Sequence, residues 1–236
     1  MANSILSTEI IQKPITTTEF AYNTIKDWII TGRCTPGEHI NQDDFAKTMG
    51  VSRIPIRSAL DKLAAEGLVV IQPRKGAIVT QISVDNLTNI FNLRCYLEPI
   101  AVLEAMEKSS PEEIRALRGL LDSQDHVSDD IEIRLNQNRN FHFAIFSLTK
   151  NDTLIGALYN LWEQSDRYRR IYFAKSKHQE RIVKDHFKIV ELLCAGKKQG
   201  AADKIALHVR ESLNILLEDI FGKSASSPFV KIQSLG

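Results

Sequence analysis

Three histidines, an asparagine and an arginine occupy positions where helical periodicity calls for apolar side chains. Leu135, Asn138, His142 and Ile145 share one helical face, with Asn138 and His142 four residues apart. Further on, His186 follows Ile182 and Val183 and precedes Ile189, Val190 and Leu193, and His208 follows Ile205 and precedes Ser212, Ile215 and Leu216. A lone histidine on such a stripe is accounted for by an imidazole bonded to a carbonyl. Three on three helices also admit a shared polar site, because bundles build metal centres from facing helices and neutral imidazole binds zinc, nickel or manganese. The pattern leaves both readings open. Arg94 lies in or beside the stripe Leu87, Ile90, Phe91, Leu97 and Ala101, and a buried arginine needs a partner. Glu98, four residues on, offers a structural ion pair; the alternative is that Arg94 anchors a ligand. The cluster "DRYRRIY", Asp166 to Tyr172, faces either the same cavity or solvent.

A second group of chemically capable residues stands in "GVSRIPIRSALDKLAAEGLV". With Ser52 as N-cap, Arg53, Ile54 and Pro55 form the first turn of a helix, where the missing N–H of proline breaks no intrahelical bond. Ile56, Ala59, Leu60 and Leu63 make its core stripe. Arg53 and Arg57 share a neighbouring edge, and Ile54 points away from the core, where folding gives an apolar side chain nothing. Between Phe45 and Ile82 the basic residues Lys47, Arg53, Arg57, Lys62, Arg74 and Lys75 face only Asp61 and Glu66. This local excess points to a polyanion. Ser52, Arg53, Ile54, Pro55 and Arg57 are the expected contacts at a helix start, with Arg74, Lys75 and Gly76 at a hairpin tip.

The elements that must position these residues are legible. "TTTEFAYNTIKDWIITGRCTPGEHI" predicts a helix capped at Thr17 or Thr18, with Phe20, Ala21, Ile25, Trp28 and Ile29 inward and Gly32 past its end. Asn41 caps a short second helix ending at Gly50, with Ile40 and Phe45 placed as a hydrophobic staple. After the helix from Ser52, "LVVIQPRKGAIVTQI" is two β-branched runs around a turn. Three helices and a hairpin make a winged helix-turn-helix. Beyond Ser83 the pattern predicts six helices: Val84–Glu107, Pro111–Val127, Ile131–Thr149, Asp152–Phe173, Lys177–Ala195 and Ala201–Phe221. The fold is therefore mainly α. It comprises an N-terminal arm (1–16), a winged helix-turn-helix domain (17–82), an all-α helical bundle (83–222) and a loosely held tail (223–236).

Composition sets limits. The 236 residues are 43% hydrophobic, ample for packed cores, and the net charge of +1 gives no global polyanion signal. No membrane span or signal pattern is present, so a cytoplasmic protein is expected. Cys34, Cys95 and Cys194 lack zinc or redox spacing and are expected to be reduced thiols.

These strings resemble the GntR-type transcriptional regulators of the FadR/FCD group. "PGEHI", "FAKTMGVSRIPIRSALDKLAAEGLV" and the proline and glycine of "IQPRKGAIV" are similar to the family's DNA-binding signature. "LRCYLEPIAV", "NFHFAIFSLTKND" and "DHFKIVELLCAGKKQGAADKIALHVRESL" resemble its FCD-like helical domain, and six helices resemble the VanR subgroup. The resemblance implies a homodimer on a pseudo-palindromic double-stranded DNA operator. A small effector, commonly a carboxylate, would be held in the helical domain by Arg94, Asn138, His142, His186 and His208. His142, His186 and His208 match the metal-binding histidines of the family. Asn138 stands in place of its aspartate, a poorer partner for a dication, and "TKND" replaces the usual turn after that helix.

Two other classes of function fit parts of the pattern. A metal-dependent hydrolase on the three histidines needs a general base, which no motif carboxylate supplies. A winged-helix adaptor that binds only protein leaves Arg53 and Arg57 unexplained.

Overall fold

The computed structural model describes residues 15–72, 76–124, 128–173 and 178–222. Two compact units meet between Thr80 and Gln81. The first contains α1 (Thr17–Ile30), β1 (His39–Ile40), α2 (Gln42–Met49), α3 (Arg53–Ala65), β2 (Val69–Gln72) and β3 (Gly76–Val79).

Its helices start and stop for local reasons. Thr16 caps α1 through a capping box with Glu19, one residue before the expected caps. The buried stripe then runs through Ala21, Tyr22, Ile25 and Ile29. Phe20, expected inward, lies off that stripe and is exposed. The Asn41 side chain accepts from Asp43 N at 2.9 Å and caps α2. Gly50 closes α2 in the left-handed region at φ 66°, a conformation that costs a side-chain-bearing residue about 1–2 kcal/mol. Ile56, Leu60 and Leu63 of α3 pack with Ile25 of α1 and Ile40 in a core closed by Leu68 and Ala77. Tyr22 Oη donates to Glu66 Oε1 at 2.7 Å and Lys26 Nζ to Glu66 Oε2 at 3.1 Å, which ties α1 to the end of α3.

The sheet order is β1-β3-β2, both pairings antiparallel, with Gln72 opposite Gly76 and His39 opposite Ile78. Strand β1 was not expected. Two residues carry no period-2 signal, and pairing with β3 alone defines them. Gly76 adopts φ +85°, and a Cβ there would meet His39 Nε2 at 3.2 Å. The expected contacts Arg74 and Lys75 lie outside the described residues, as do most of the N-terminal arm and the whole tail (223–236).

The second unit holds six helices among the described residues: α4 (Val84–Lys108), α5 (Pro111–Asp122), α6 (Ile131–Ser147), α7 (Asp152–Phe173), α8 (Gln179–Cys194) and α9 (Lys198–Phe221). Their ends differ from expectation by a few residues. Helix α5 stops at Asp122, capped by Ser123, rather than continuing toward Val127, and α9 begins at Lys198. Helix α4 packs most extensively along α9 and α7. One apolar cluster gathers Phe141, Phe146, Leu158, Trp162, Ile189 and Ile205; another gathers Leu87, Phe91, Tyr168, Tyr172, Leu213 and Leu217. Trp162 belongs to the first and Phe91 to the second, and the Arg94 guanidinium lies against both rings, at 4.2 and 4.7 Å from their centroids. No described helix is long and apolar enough to cross a membrane.

Candidate functional site

The start of α3 is the first site. Ser52, Arg53, Ile54 and Arg57 are exposed, and the Ser52 side chain makes no cap bond. Ile54, at 77% exposure, is the most exposed large apolar side chain among the described residues. Arg57 makes no ion pair or hydrogen bond among the described residues, whereas Arg53 Nε reaches Asp43 Oδ1 at 2.9 Å across the turn from α2. Both ends of that pair are solvated, so it contributes little to stability. Pro55 departs from expectation: it is buried, because the third helical position turns toward the side of Ile56 and Ala59. Its side chain faces the core of the unit rather than the exposed edge that carries Arg53, Ile54 and Arg57.

The second site lies inside the helical unit. His142 on α6, His186 on α8 and His208 on α9 each place a ring nitrogen within 4.8 Å of the others, and all three are buried. The sequence could not decide between separate core imidazoles and one site; the packing brings the rings together. Glu98 Oε2 accepts from His142 Nδ1 at 2.9 Å, and Asp185 Oδ2 accepts from His208 Nδ1 at 3.0 Å. Each carboxylate fixes a tautomer that leaves Nε2 as the lone-pair nitrogen, the arrangement that orients metal-ligating histidines. His186 is oriented by stacking on Phe141, with ring centroids 3.9 Å apart. Burial lowers the pKa of His142, and takes that of His208 to about 4, so both imidazoles are neutral near pH 7.

Glu98 is fully buried and also accepts from Arg94 Nε at 2.8 Å and from Trp162 Nε1 at 3.1 Å. Burial alone would raise its pKa; Arg94 and His142 outweigh that and bring it to about 2. Burial of Asp185 is likewise outweighed, by His208 and Lys204, and its pKa falls to about 2. Both carboxylates are therefore ionised and engaged.

A cavity of about 20 Å³, room for one or two water molecules, opens beside these groups. Arg94, Asn138, His142 and His208 line it, together with Arg169, Tyr172 and Ser212. The Arg94 Nη groups make no hydrogen bond among the described residues. Arg169, in the cluster left open between cavity and solvent, is on the cavity side; it pairs with Asp166, and burial lowers its pKa to about 10. Its neighbour Arg170 turns outward and pairs with Glu132 at 2.8 Å. Asp185 could have been noticed, since it directly precedes His186. The bonds of Glu98 to α6 and α7 span 44 and 64 residues and leave no local trace.

Comparison with known proteins gives these sites a context. Residues 17–79 match the bacterial regulatory proteins of the gntR family, and residues 89–211 match the FCD domain. The chain belongs to the GntR family, with an FCD effector domain. It is 30% identical over 206 residues to the HTH-type transcriptional regulator YdhC of Bacillus subtilis (strain 168), covering 84% of this chain and 91% of that one. It is 30% identical over 190 residues to the Nta operon transcriptional regulator of Aminobacter aminovorans, covering 79% and 88%. The solved structure of E. coli McbR/YncC superposes with a TM-score of 0.71 at 25% identity, covering 86% of this chain and 98% of that one. This GntR regulator is thus a DNA-binding transcription factor and not an enzyme. The hydrolase reading fails with it, since both carboxylates beside the histidines are committed to histidine and cationic partners. So does the adaptor reading.

Neutral buried histidine gives the regulator a pH signature. Unfolded His208 takes up a proton near pH 6.5, while the folded residue resists until about pH 4. Stability is therefore retained above that window and falls through it by about 1.4 kcal/mol per pH unit. Urea unfolding between those limits should show a steeper loss in wild type than in His208→Asn; parallel profiles would contradict the assignment.

Proposed function

We propose that this regulator is a homodimeric repressor that leaves a pseudo-palindromic operator when a small carboxylate enters the FCD cavity. The observation that carries the effector reading is Arg94: it lines the cavity with His142 and His208, its Nε is committed to Glu98, and its Nη groups have no hydrogen bond among the described residues. A carboxylate is the natural bidentate partner for that fork. The donor set also fits a divalent ion of the zinc, nickel or manganese kind held by His142, His186 and His208. Asn138 would be at most a weak neutral fourth ligand. Such an ion would add positive charge that attracts the effector carboxylate.

Dimerisation is supported by apolar side chains left exposed on adjacent helices. Leu93 and Ile100 lie one heptad apart on α4, and Leu207 is exposed on α9. A two-fold dimer would carry two copies of α3 to half-sites about 34–36 Å apart or multiples of it. In each, the start of α3 would enter the major groove, with Arg57 and Arg53 near guanine edges or phosphates and Ile54 near a thymine methyl. Arg74, Lys75 and Gly76 of the wing would add backbone contacts. Occupancy over a promoter would block transcription.

Helix α7 joins the cavity to the first residues of the helical unit. Arg169, Tyr172 and Phe173 line the cavity, and one turn earlier Arg167 Nη2 donates to the Gln81 carbonyl at 3.1 Å. Tyr168 Oη donates to Asn86 Oδ1 at 3.0 Å and accepts from Ser83 N at 3.4 Å. The segment leaving the winged helix is thus held by the helix that feels the ligand.

Two measurements test the reading. Arg57→Ala should weaken binding to an operator selected from random duplexes by about 1–3 kcal/mol if Arg57 reads a base pair bidentately. Unchanged affinity and selectivity in the folded variant would remove it from the interface. A thermal-shift screen of small carboxylates should find an effector that lowers operator affinity, and Arg94→Met should abolish that shift while operator binding persists. Equal shifts in both proteins would reduce Arg94 to a structural partner of Glu98.

A further inference from the structure

Arg134 on α6 is 94% buried if its 6% exposure is taken as the remainder, yet no carboxylate among the described residues pairs with it. Its Nη2 donates to the Asp129 carbonyl at 3.1 Å, and its Nε is buried with no acceptor. The buried arginines that line the histidine cavity each have an acidic partner: Arg94 has Glu98 and Arg169 has Asp166. A guanidinium withdrawn from water without a counter-charge is costly, and one carbonyl compensates it poorly.

The surroundings of Arg134 point the same way. It lines a second cavity, of about 10 Å³, with Gln137, Gln179, Asn138 and His186. Gln137 Oε1 and Gln179 Oε1 are buried there and also lack hydrogen-bond partners. One donor and two carboxamides, which can turn either their oxygen or their NH₂ inward, thus converge without satisfying one another. The two cavities share Asn138, Phe173 and Ile182 as lining residues and so have a common wall.

We infer that Arg134, with Gln137 and Gln179, forms a subsite for a second anionic group of the effector, which is therefore a short dicarboxylate. One carboxylate meets Arg94 beside the histidines; the other accepts from Arg134 Nε and from the turned carboxamides. Asn138, on the wall of both cavities, lies between the two heads. A neutral residue there repels neither, whereas a carboxylate would oppose both. The inference rests on the effector reading given above, and it specifies the charge of that ligand.

Calorimetric titration of the full-length protein with succinate, glutarate and adipate, beside butyrate, valerate and caproate, tests it. At least one dicarboxylate should bind about tenfold or more tighter than its length-matched monocarboxylate, the worth of a charge-assisted hydrogen bond. Arg134→Met should erase that preference and leave the monocarboxylate affinity as it was. Arg94→Met should lose both ligands, which tests the effector reading separately. Should Arg134→Met fail to fold, Gln137→Leu with Gln179→Leu should reduce the same preference. Equal affinities for mono- and dicarboxylates in wild type overturn the inference while sparing the effector reading. So does a preference that survives Arg134→Met. Binding of inorganic phosphate that depends on Arg134, with no dicarboxylate advantage, also overturns it and makes the subsite one for a free anion. No binding of any acid overturns both.

Discussion

The helical unit depends on one buried charge. Glu98 is wholly enclosed and accepts from Arg94, from His142 on α6 and from Trp162 on α7, so one carboxylate joins three helices. Ionised, it is acceptable inside the protein only because these donors replace water. They are in turn placed by it. His142 is held in the tautomer that leaves Nε2 as the lone-pair nitrogen, and the Arg94 guanidinium is held against Phe91 and Trp162 on the wall of the cavity. Asp185 repeats the device between α8 and α9, where Arg181 donates at 2.8 Å and Lys204 and His208 complete the set.

The DNA-binding unit follows a different economy. Its core is apolar, Tyr22, Lys26 and Glu66 form a polar cluster at the edge of that core, and its chemically capable residues lie on the surface at the start of α3. Ile54 is informative because it gains nothing from the fold. The two units thus place function in opposite ways: exposed residues on a rigid apolar frame in one, and polar residues compensated in a core in the other. Within the helical unit, Arg167 and Tyr168 hold its first residues, through bonds to Gln81, Ser83 and Asn86.

Much of this was legible in the sequence, because helical periodicity exposes any polar residue on an apolar stripe. Arg94, Asn138, His142, His186 and His208 were all visible in that way, as was the ion pair of Arg94 with Glu98, which spans one helical turn. Periodicity says which way a side chain faces but not what it meets. The further bonds of Glu98 and the convergence of the histidines depend on how separate helices pack. Arg134 escaped notice for a related reason: between Glu132 and Asn136 it reads as part of a solvated face, and only the tertiary packing that brings Phe173, Gln179 and His186 beside it encloses it. Phe20 and Pro55 show the reverse error. Phe20 stands just before the stripe Ala21, Tyr22, Ile25 and Ile29 and falls at its edge, and membership in the first turn of α3 does not expose Pro55.

The claim that Glu98 is an ionised hub is tested most directly by a double-mutant cycle in urea unfolding of the helical unit. Glu98→Gln keeps the shape and removes the charge, leaving Arg94 buried without a counter-ion, and should destabilise by about 3–5 kcal/mol. Glu98→Gln combined with Arg94→Met removes the stranded cation as well and should recover a substantial part of that loss. Losses that simply add, or a Glu98→Gln protein within about 0.5 kcal/mol of wild type, would contradict the account.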